Sequence, residues 1–395
     1  MIARRSAAAT TPSTAWATKG GPVIDIIWNL TAICPWDCAA CCVAAVQTTQ
    51  RKGTMVLSAP DLSMSSEVPR DFQSGSVFDQ ALAHRQAMGL ELTLAAKLRV
   101  LENLRGLPVR LDFSGGDVLA PTENLEVLRA AASMLGKEMI TLTATGAGLA
   151  QRDVAELAGY ISELNFTYDG ERDPHEPMRP AAYAAGNLRK AKEFMRAGVR
   201  VRAECPLTRQ NIDPEVLTRI YSELAEAGVH TLLPMRLFPV GRGSTVAEAV
   251  PKPLEYAHAL RLLRRLEAKL EGPRIKLQCA LRSLESSAEG ANPCDAFTES
   301  FGLMWDGTLL GSPWAINSQG RPIDEAWVLG NLSERSLTEI LASERVVDMR
   351  SRSDENHGHC KMFAWLNGVA EASQDRMLEL TDPLINFGDS AEDVA

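Results

Sequence analysis

Four of the chain's eight cysteines fall within nine residues, CPWDCAACC, from Cys34 to Cys42. Cys34, Cys38 and Cys41 are spaced C-x3-C-x2-C. Neighbouring thiols in a loop are oxidation liabilities unless something ligates them. Zinc sites usually join one C-x2-C pair to a second, distant pair. Three thiolates on one short loop can instead converge on one face of a cubane iron–sulfur cluster, which usually takes four cysteines. One iron then stays open to another group. The preceding PVIDIIWNLTAIC reads as a strand from Pro22 to about Thr31, so the loop stands at a strand's end.

Strand and helix patterns alternate downstream. LTLAAKLRVLENLR, residues 92–105, has apolar residues at helical spacing. LPVRLDFSGGDVL is a strand running into Ser114-Gly115-Gly116-Asp117. MITLTATGAG ends a strand at Thr145-Gly146, and ELNFTYDG carries Thr167 at a strand's end. AAYAAGNLRKAKEFMRAG is a helix closed by Gly198. VRVRAECPLT, PEVLTRIYSELAEAG and HTLLPMRLFPVGRG continue as strand, helix and strand. Short connections between alternating elements imply an α/β fold with a parallel sheet and outer helices. About six such units make a partial (β/α)6 barrel, short of the closed form, with functional residues at the C-terminal strand ends.

The cysteine loop after the first strand, together with the SGGD turn, resembles the radical SAM superfamily. The resemblance implies a [4Fe-4S] cluster on Cys34, Cys38 and Cys41, its fourth iron chelated by S-adenosylmethionine (SAM). Reduction then cleaves SAM to a 5′-deoxyadenosyl radical that takes a hydrogen from the substrate. It assigns Ser114, Gly115, Gly116 and Asp117 to the SAM amino group, with Asp117 where the family has glutamate. Thr145 and Thr167 hold positions of further SAM contacts, though each can equally be a solvated strand-end residue. Ala40 stands where the family usually has an aromatic residue. Cys42 reads as a packed small residue, and Cys205 as a core cysteine rather than a hydrogen donor. Residues 43–90 are an insertion beside the cluster, read as a lid, a substrate wall or a tolerated mobile segment.

After Lys252 the pattern changes. Cys279 and Cys294 are spaced C-x14-C, FGLMWDGTLL reads as a hairpin turning at Asp306-Gly307, and ENHGHC ends in Cys360. With the helical LGNLSERSLTEIL, this order resembles the SPASM/twitch iron–sulfur extension of radical SAM enzymes. It implies an auxiliary [4Fe-4S] cluster on Cys279, Cys294, Cys360 and His357, the last at H-x2-C spacing. His359, an open fourth site, or a degenerate extension with no cluster are the alternatives. Ser312-Pro313-Trp314 replaces the hairpin's usual exit cysteine. The expected division is a tail at 1–21, the barrel at 22–250, the extension at 251–370 and a tail at 371–395.

The formal net charge is −9 with no long basic run, which argues against a nucleic-acid partner. No stretch approaches the ~20 apolar residues of a membrane span. The N-terminus lacks the apolar run of a secretory signal, so a reducing cytoplasm is expected. The resemblance implies a maturase that crosslinks, epimerises or oxidises a ribosomally made peptide. A tailoring enzyme for a small metabolite, an aminocyclitol or sugar, is the alternative; a non-catalytic metal-binding protein is a third class. An external electron donor such as flavodoxin or ferredoxin is implied. Only 33 residues precede Cys34, fewer than a leader-recognition domain usually takes, which weighs against the peptide reading unless a separate leader-recognition protein supplies that step.

Overall fold

The computed structural model describes residues 23–58, 65–169, 178–285, 292–368 and 378–385. The tail expected at 1–21 lies outside the described residues, as do 371–377 and 386–395 of the C-terminal one.

The first strand, β1 (Ile24–Asn29), sets the logic of the sheet. Ile24, Ile26 and Trp28 are fully buried on one face; Asp25, Ile27 and Asn29 line a cavity on the other. β2 (Ile33–Cys34), β3 (Val46–Arg51), β4 (Thr54–Ser58) and β5 (Ser65–Pro69) form a separate small sheet in that order. β6 (Val109–Ser114), β7 (Ile140–Thr143), β8 (Glu163–Thr167), β9 (Arg200–Leu207) and β10 (Thr231–Arg236) follow. β11 (Arg274–Ile275), β12 (Ser300–Leu303), β13 (Thr308–Leu310) and β14 (Val328–Asn331) complete the chain's strands among the described residues.

The large sheet runs β11-β10-β9-β8-β7-β6-β1-β12-β13-β14. From β10 to β1 every pairing is parallel, which gives the six strands of the partial barrel. Helices Leu94–Asn103, Glu123–Leu135, Val154–Ala158, Tyr183–Arg196 and Pro214–Ala227 connect them. A parallel pairing needs such a crossover, and the helices cover the apolar outer face. The alternation persists along the sheet. Val109, Leu111 and Phe113 of β6 are buried at 1% exposure or less, while Arg110, Asp112 and Ser114 line the interior. In β9, Arg202 and Glu204 face in, and Cys205 is buried with the outer core.

The C-terminal region does not start a new sheet. β12 pairs parallel with β1, and β13 and β14 add antiparallel strands beyond it. The β12–β13 turn is the expected Asp306-Gly307, with Gly307 at φ +88°, a conformation that favours glycine. The insertion after the cysteine loop is rooted in the loop itself: β3 pairs with β2 at Ile33↔Val46 and Cys34↔Gln47.

Residues 378–385 depart from the expected tail. Leu378, Asp382 and Leu384 are each at most 2% exposed. Two buried leucines and a paired carboxylate hold the segment against the barrel end. Among the described residues no helix is long and apolar enough to cross a membrane.

Candidate active site

One cavity of about 810 Å³ occupies the barrel interior and its C-terminal end. Cys34, Cys38, Cys41 and Cys42 line it, and so do Cys279, Cys294 and Cys360. Two cysteine sets more than two hundred residues apart in sequence therefore share one chamber. All eight cysteines are free thiols.

The first set is held by backbone bonds from three directions. Cys41 N–H donates to Cys38 O at 3.2 Å, and Gly243 N–H donates to Cys41 O at 3.2 Å. Arg242 donates to the carbonyls of Cys38 and Ala45. Upstream, buried Glu91 accepts from Thr31 Oγ1 at 2.7 Å, Ala32 N at 3.1 Å and Arg85 Nε at 2.7 Å. Burial pushes the Cys34 thiol well above its ordinary range, with Asp117, Cys41 and Cys38 adding to it. Cys38 is also raised by burial, against the lowering effect of Arg179 beside it. A thiolate here needs a compensating positive charge, which an iron cluster supplies. Among the described residues no three His, Cys, Asp or Glu side chains are placed to hold a single metal ion. The three thiols of the loop line one chamber, an arrangement that fits a cluster whose thiolates bind separate irons.

The SGGD turn lies against this loop. Gly116 N–H donates to Thr31 O at 2.8 Å, and Asp117 N–H to Ile33 O at 2.7 Å. A Cβ on Gly116 would sit 2.3 Å from Ile33 O, and one on Gly115 2.5 Å from Thr31 O. The glycines thus permit close approach to the cysteine lead-in. Ser114, Gly115, Gly116, Thr145 and Thr167 line the chamber. Asp117, expected at the SAM amino group, lies just behind these residues. Its backbone bond to Ile33 turns the carboxylate inward, where it is 0% exposed. There Oδ2 accepts from Thr145 Oγ1 at 2.5 Å and Gly148 N at 2.8 Å. Burial raises its pKa from 3.8 to about 6.

Thr145 then faces two ways, accepting from Trp36 Nε1 at 3.1 Å. Trp36, inside the cysteine loop, also meets the Tyr183 ring edge-on at 5.5 Å. Arg179 pairs with Asp169 at 2.7 Å and lies over the Tyr183 ring at 5.2 Å. Sequence reasoning missed Trp36, Arg179 and Glu91. A large aromatic between ligand cysteines was a usable signal for Trp36; nothing local marks the other two.

Below the loop the chamber wall is charged. Asp112 accepts from Thr143 Oγ1 at 2.9 Å, and Arg202 pairs with Glu163 at 3.3 Å. Burial raises Glu204 from 4.5 to about 7, against the opposing pull of Arg202. Cys205 faces away from this wall, as its reading as a core cysteine requires.

In the second set Cys294 and Cys360 are hydrogen-bonded to each other. Lys361 N–H donates to Cys294 Sγ at 3.5 Å. Cys279 is pushed up by burial and by nearby Asp295 and Cys294. His357, expected as a ligand of this set, is exposed and is not among the residues that line the chamber. His359 does not line it either, its Nδ1 accepting from Asp382 N at 2.8 Å. The glycine turn at 358 carries both rings away from the cysteines. Asp295 and Gln278 do line the chamber beside them.

This fold, a partial barrel with a C-terminal extension, is shared with solved structures that hold S-adenosylmethionine. Residues 294–362 match the model of the SPASM family, an iron–sulfur cluster-binding domain. Streptococcus suis SuiB bound to S-adenosylmethionine superposes with a TM-score of 0.60 at 14% identity, covering 92% of this chain and 77% of that one. SuiB bound to its precursor peptide SuiA gives 0.59 at 14% identity, covering 92% and 76%. The structure of anSMEcpe with bound AdoMet gives 0.51 at 15% identity, covering 83% and 82%. No curated protein matches the sequence. The matched domain, 294–362, is one that binds an iron–sulfur cluster.

Proposed function

We propose that this chain cleaves SAM reductively and uses the resulting radical to modify a ribosomally made peptide. The observation that carries the reading is the single chamber lined by both cysteine sets. A SAM-bound cluster in such a site supplies a 5′-deoxyadenosyl radical when reduced. Cys34, Cys38 and Cys41 hold that cluster, and burial around them keeps water from the radical. Ser114, Gly115, Gly116, Thr145 and Thr167 border SAM, with Asp117 acting through Thr145. Cys279, Cys294 and Cys360, which line the same chamber, would hold the auxiliary cluster. The barrel accounts for 22–250, and the extension for 251–370 together with 378–385.

The chamber's volume supports a substrate that enters by a part. About 810 Å³ is near the top of the ~300–1,000 Å³ range of ligand sites. A peptide substrate would enter by a part, with its remainder outside. SuiB, of similar fold, has been solved with a precursor peptide. A separate leader-recognition protein and a flavodoxin- or ferredoxin-type donor complete the system. The charged wall of Asp112, Arg202 and Glu204 favours the second reading, a polar aminocyclitol or sugar held wholly inside.

Anaerobically reconstituted protein, given SAM and dithionite, is expected to form 5′-deoxyadenosine. Cys34→Ala, Cys38→Ala and Cys41→Ala should each abolish it. Full turnover by any one of them would remove that residue from the ligand set, and no product from wild type would end the proposal. Mass shifts on candidate precursor peptides, against a panel of aminocyclitols and sugars, separate the two substrate readings.

A further inference from the structure

Arg236 and Asp382 form a buried ion pair at 2.5 Å across 146 residues of sequence. Their side chains are 5% and 1% exposed. Neither lies in the stretch that matches the SPASM model, 294–362. Arg236 ends β10, the last parallel strand of the barrel, and lines the chamber. Its guanidinium sits 3.3 Å from the Phe363 ring centroid and 5.8 Å from that of Tyr256. Asp382 comes from the C-terminal segment. Asp382 Oδ2 also accepts from Cys360 N–H at 3.4 Å, and Oδ1 from Leu384 N–H at 3.0 Å.

Stability alone is a weak reason for such a pair. Desolvating two charges costs several kcal/mol, and apolar residues of similar volume often do as well or better. Its position gives a better reason. The pair meets the backbone of Cys360, and the Arg236 charge acts on the Cys360 sulfur. Other charges around this cysteine set are Lys361, whose Nζ donates to the carbonyls of Glu355 and Asn356, and Asp295 and Arg282 beside Cys279. Arg236 and Asp382 differ from these in joining the barrel end to Cys360 directly.

We propose that the Arg236–Asp382 pair positions Cys360 and sets the reduction potential of the auxiliary centre. The inference rests on reading Cys279, Cys294 and Cys360 as cluster ligands. A fixed charge near an iron–sulfur cluster shifts its potential, as do hydrogen bonds and burial. A cation favours the reduced, more negative state and raises the potential; an anion lowers it. In the intact pair each charge offsets part of the other's effect, and the remainder, with the hydrogen bond from Cys360 N–H to Asp382, sets the potential.

The test is potentiometric EPR on the reconstituted full chain, with iron and sulfide counts. Asp382→Asn leaves Arg236 uncompensated, and the auxiliary potential should rise. Arg236→Gln leaves Asp382 uncompensated, and it should fall. The Arg236→Met/Asp382→Leu double variant leaves no buried charge unpaired, so it keeps the test available if either single variant fails to fold. In it Cys360 N–H loses its acceptor, and the auxiliary signal should be lost or altered while the SAM-cluster signal stays as in wild type. A double variant with both signals at wild-type position and intensity would overturn the inference, leaving the pair a purely structural clasp. Singles that shift the same way, or not at all, would overturn it too. A wild type with no second cluster signal would instead refute the ligand reading beneath it.

Discussion

Thr145 Oγ1 takes hydrogen bonds from Trp36 and Ala147 and donates one to Asp117. It thereby ties the cysteine loop to a carboxylate that never reaches the chamber. Burial raises the Asp117 pKa from 3.8 to about 6, so the folded protein holds its proton to a higher pH than a free aspartate does. A carboxyl raised on folding contributes stability at low pH, and loses it as pH rises through the folded value. The effect is on the order of 2–3 kcal/mol for a fully buried group with this shift. Thermal melts from pH 4 to 7 should therefore show wild type losing stability relative to Asp117→Asn as the pH rises. Glu204 shifts in the same direction, so the variant's slope should shrink rather than vanish. An unchanged slope would mean that Asp117 is not the source. Asp117 was visible in the sequence as part of the SGGD turn; its inward orientation was not, because a backbone bond to Ile33 decides it.

The turn between β6 and Glu123–Leu135 is the element on which the site depends most closely. Leu30, Thr31 and Ile33 are bonded to it through Leu30 N, Thr31 O and Ile33 O. Gly116→Ala would drive a methyl into Ile33 O at 2.3 Å, with no flexible side chain to yield. Overpacking of this kind typically costs about 1–3 kcal/mol, and here it must move the strand that leads into Cys34. The variant should melt earlier and bind SAM more weakly, as isothermal titration would report. Wild-type affinity would show that the turn and the cysteine lead-in move independently. The strand pattern of β1 and β6 to β10 was legible because period-2 burial coincides with apolar residues on one face. The small β2–β5 sheet was not legible. VAAVQTTQRKGTMVLS carries too few apolar residues for that period, and its strands exist because β2 offers an edge beside the cysteines.

Across the molecule, the barrel and the C-terminal extension share one sheet and one chamber. The parallel β1–β12 pairing brings Cys279, Cys294 and Cys360 over the same cavity as Cys34, Cys38 and Cys41. Each set should nevertheless load on its own, since each is braced by its own backbone bonds. Cys360→Ser is expected to lose one cluster's worth of iron and sulfide while 5′-deoxyadenosine formation without substrate persists. Equal iron in variant and wild type would exclude Cys360 as a ligand.

The triad spacing, the SGGD turn, the strand–helix alternation and the hairpin at Asp306-Gly307 could all be read from residues close together in the chain. Short-range pattern specifies them because ligand spacing, turn conformation and face periodicity are local properties. Other features depend on residues that meet only after folding. Glu91 braces Thr31, Arg179 stands beside Cys38, and Asp382 reaches back to Arg236 and Cys360 from a segment that reads as tail. His357 has ligand spacing, yet it is exposed and does not line the chamber that the cysteines share. Sequence spacing can place a donor near a ligand set along the chain; the packing of strands and turns decides which way it points.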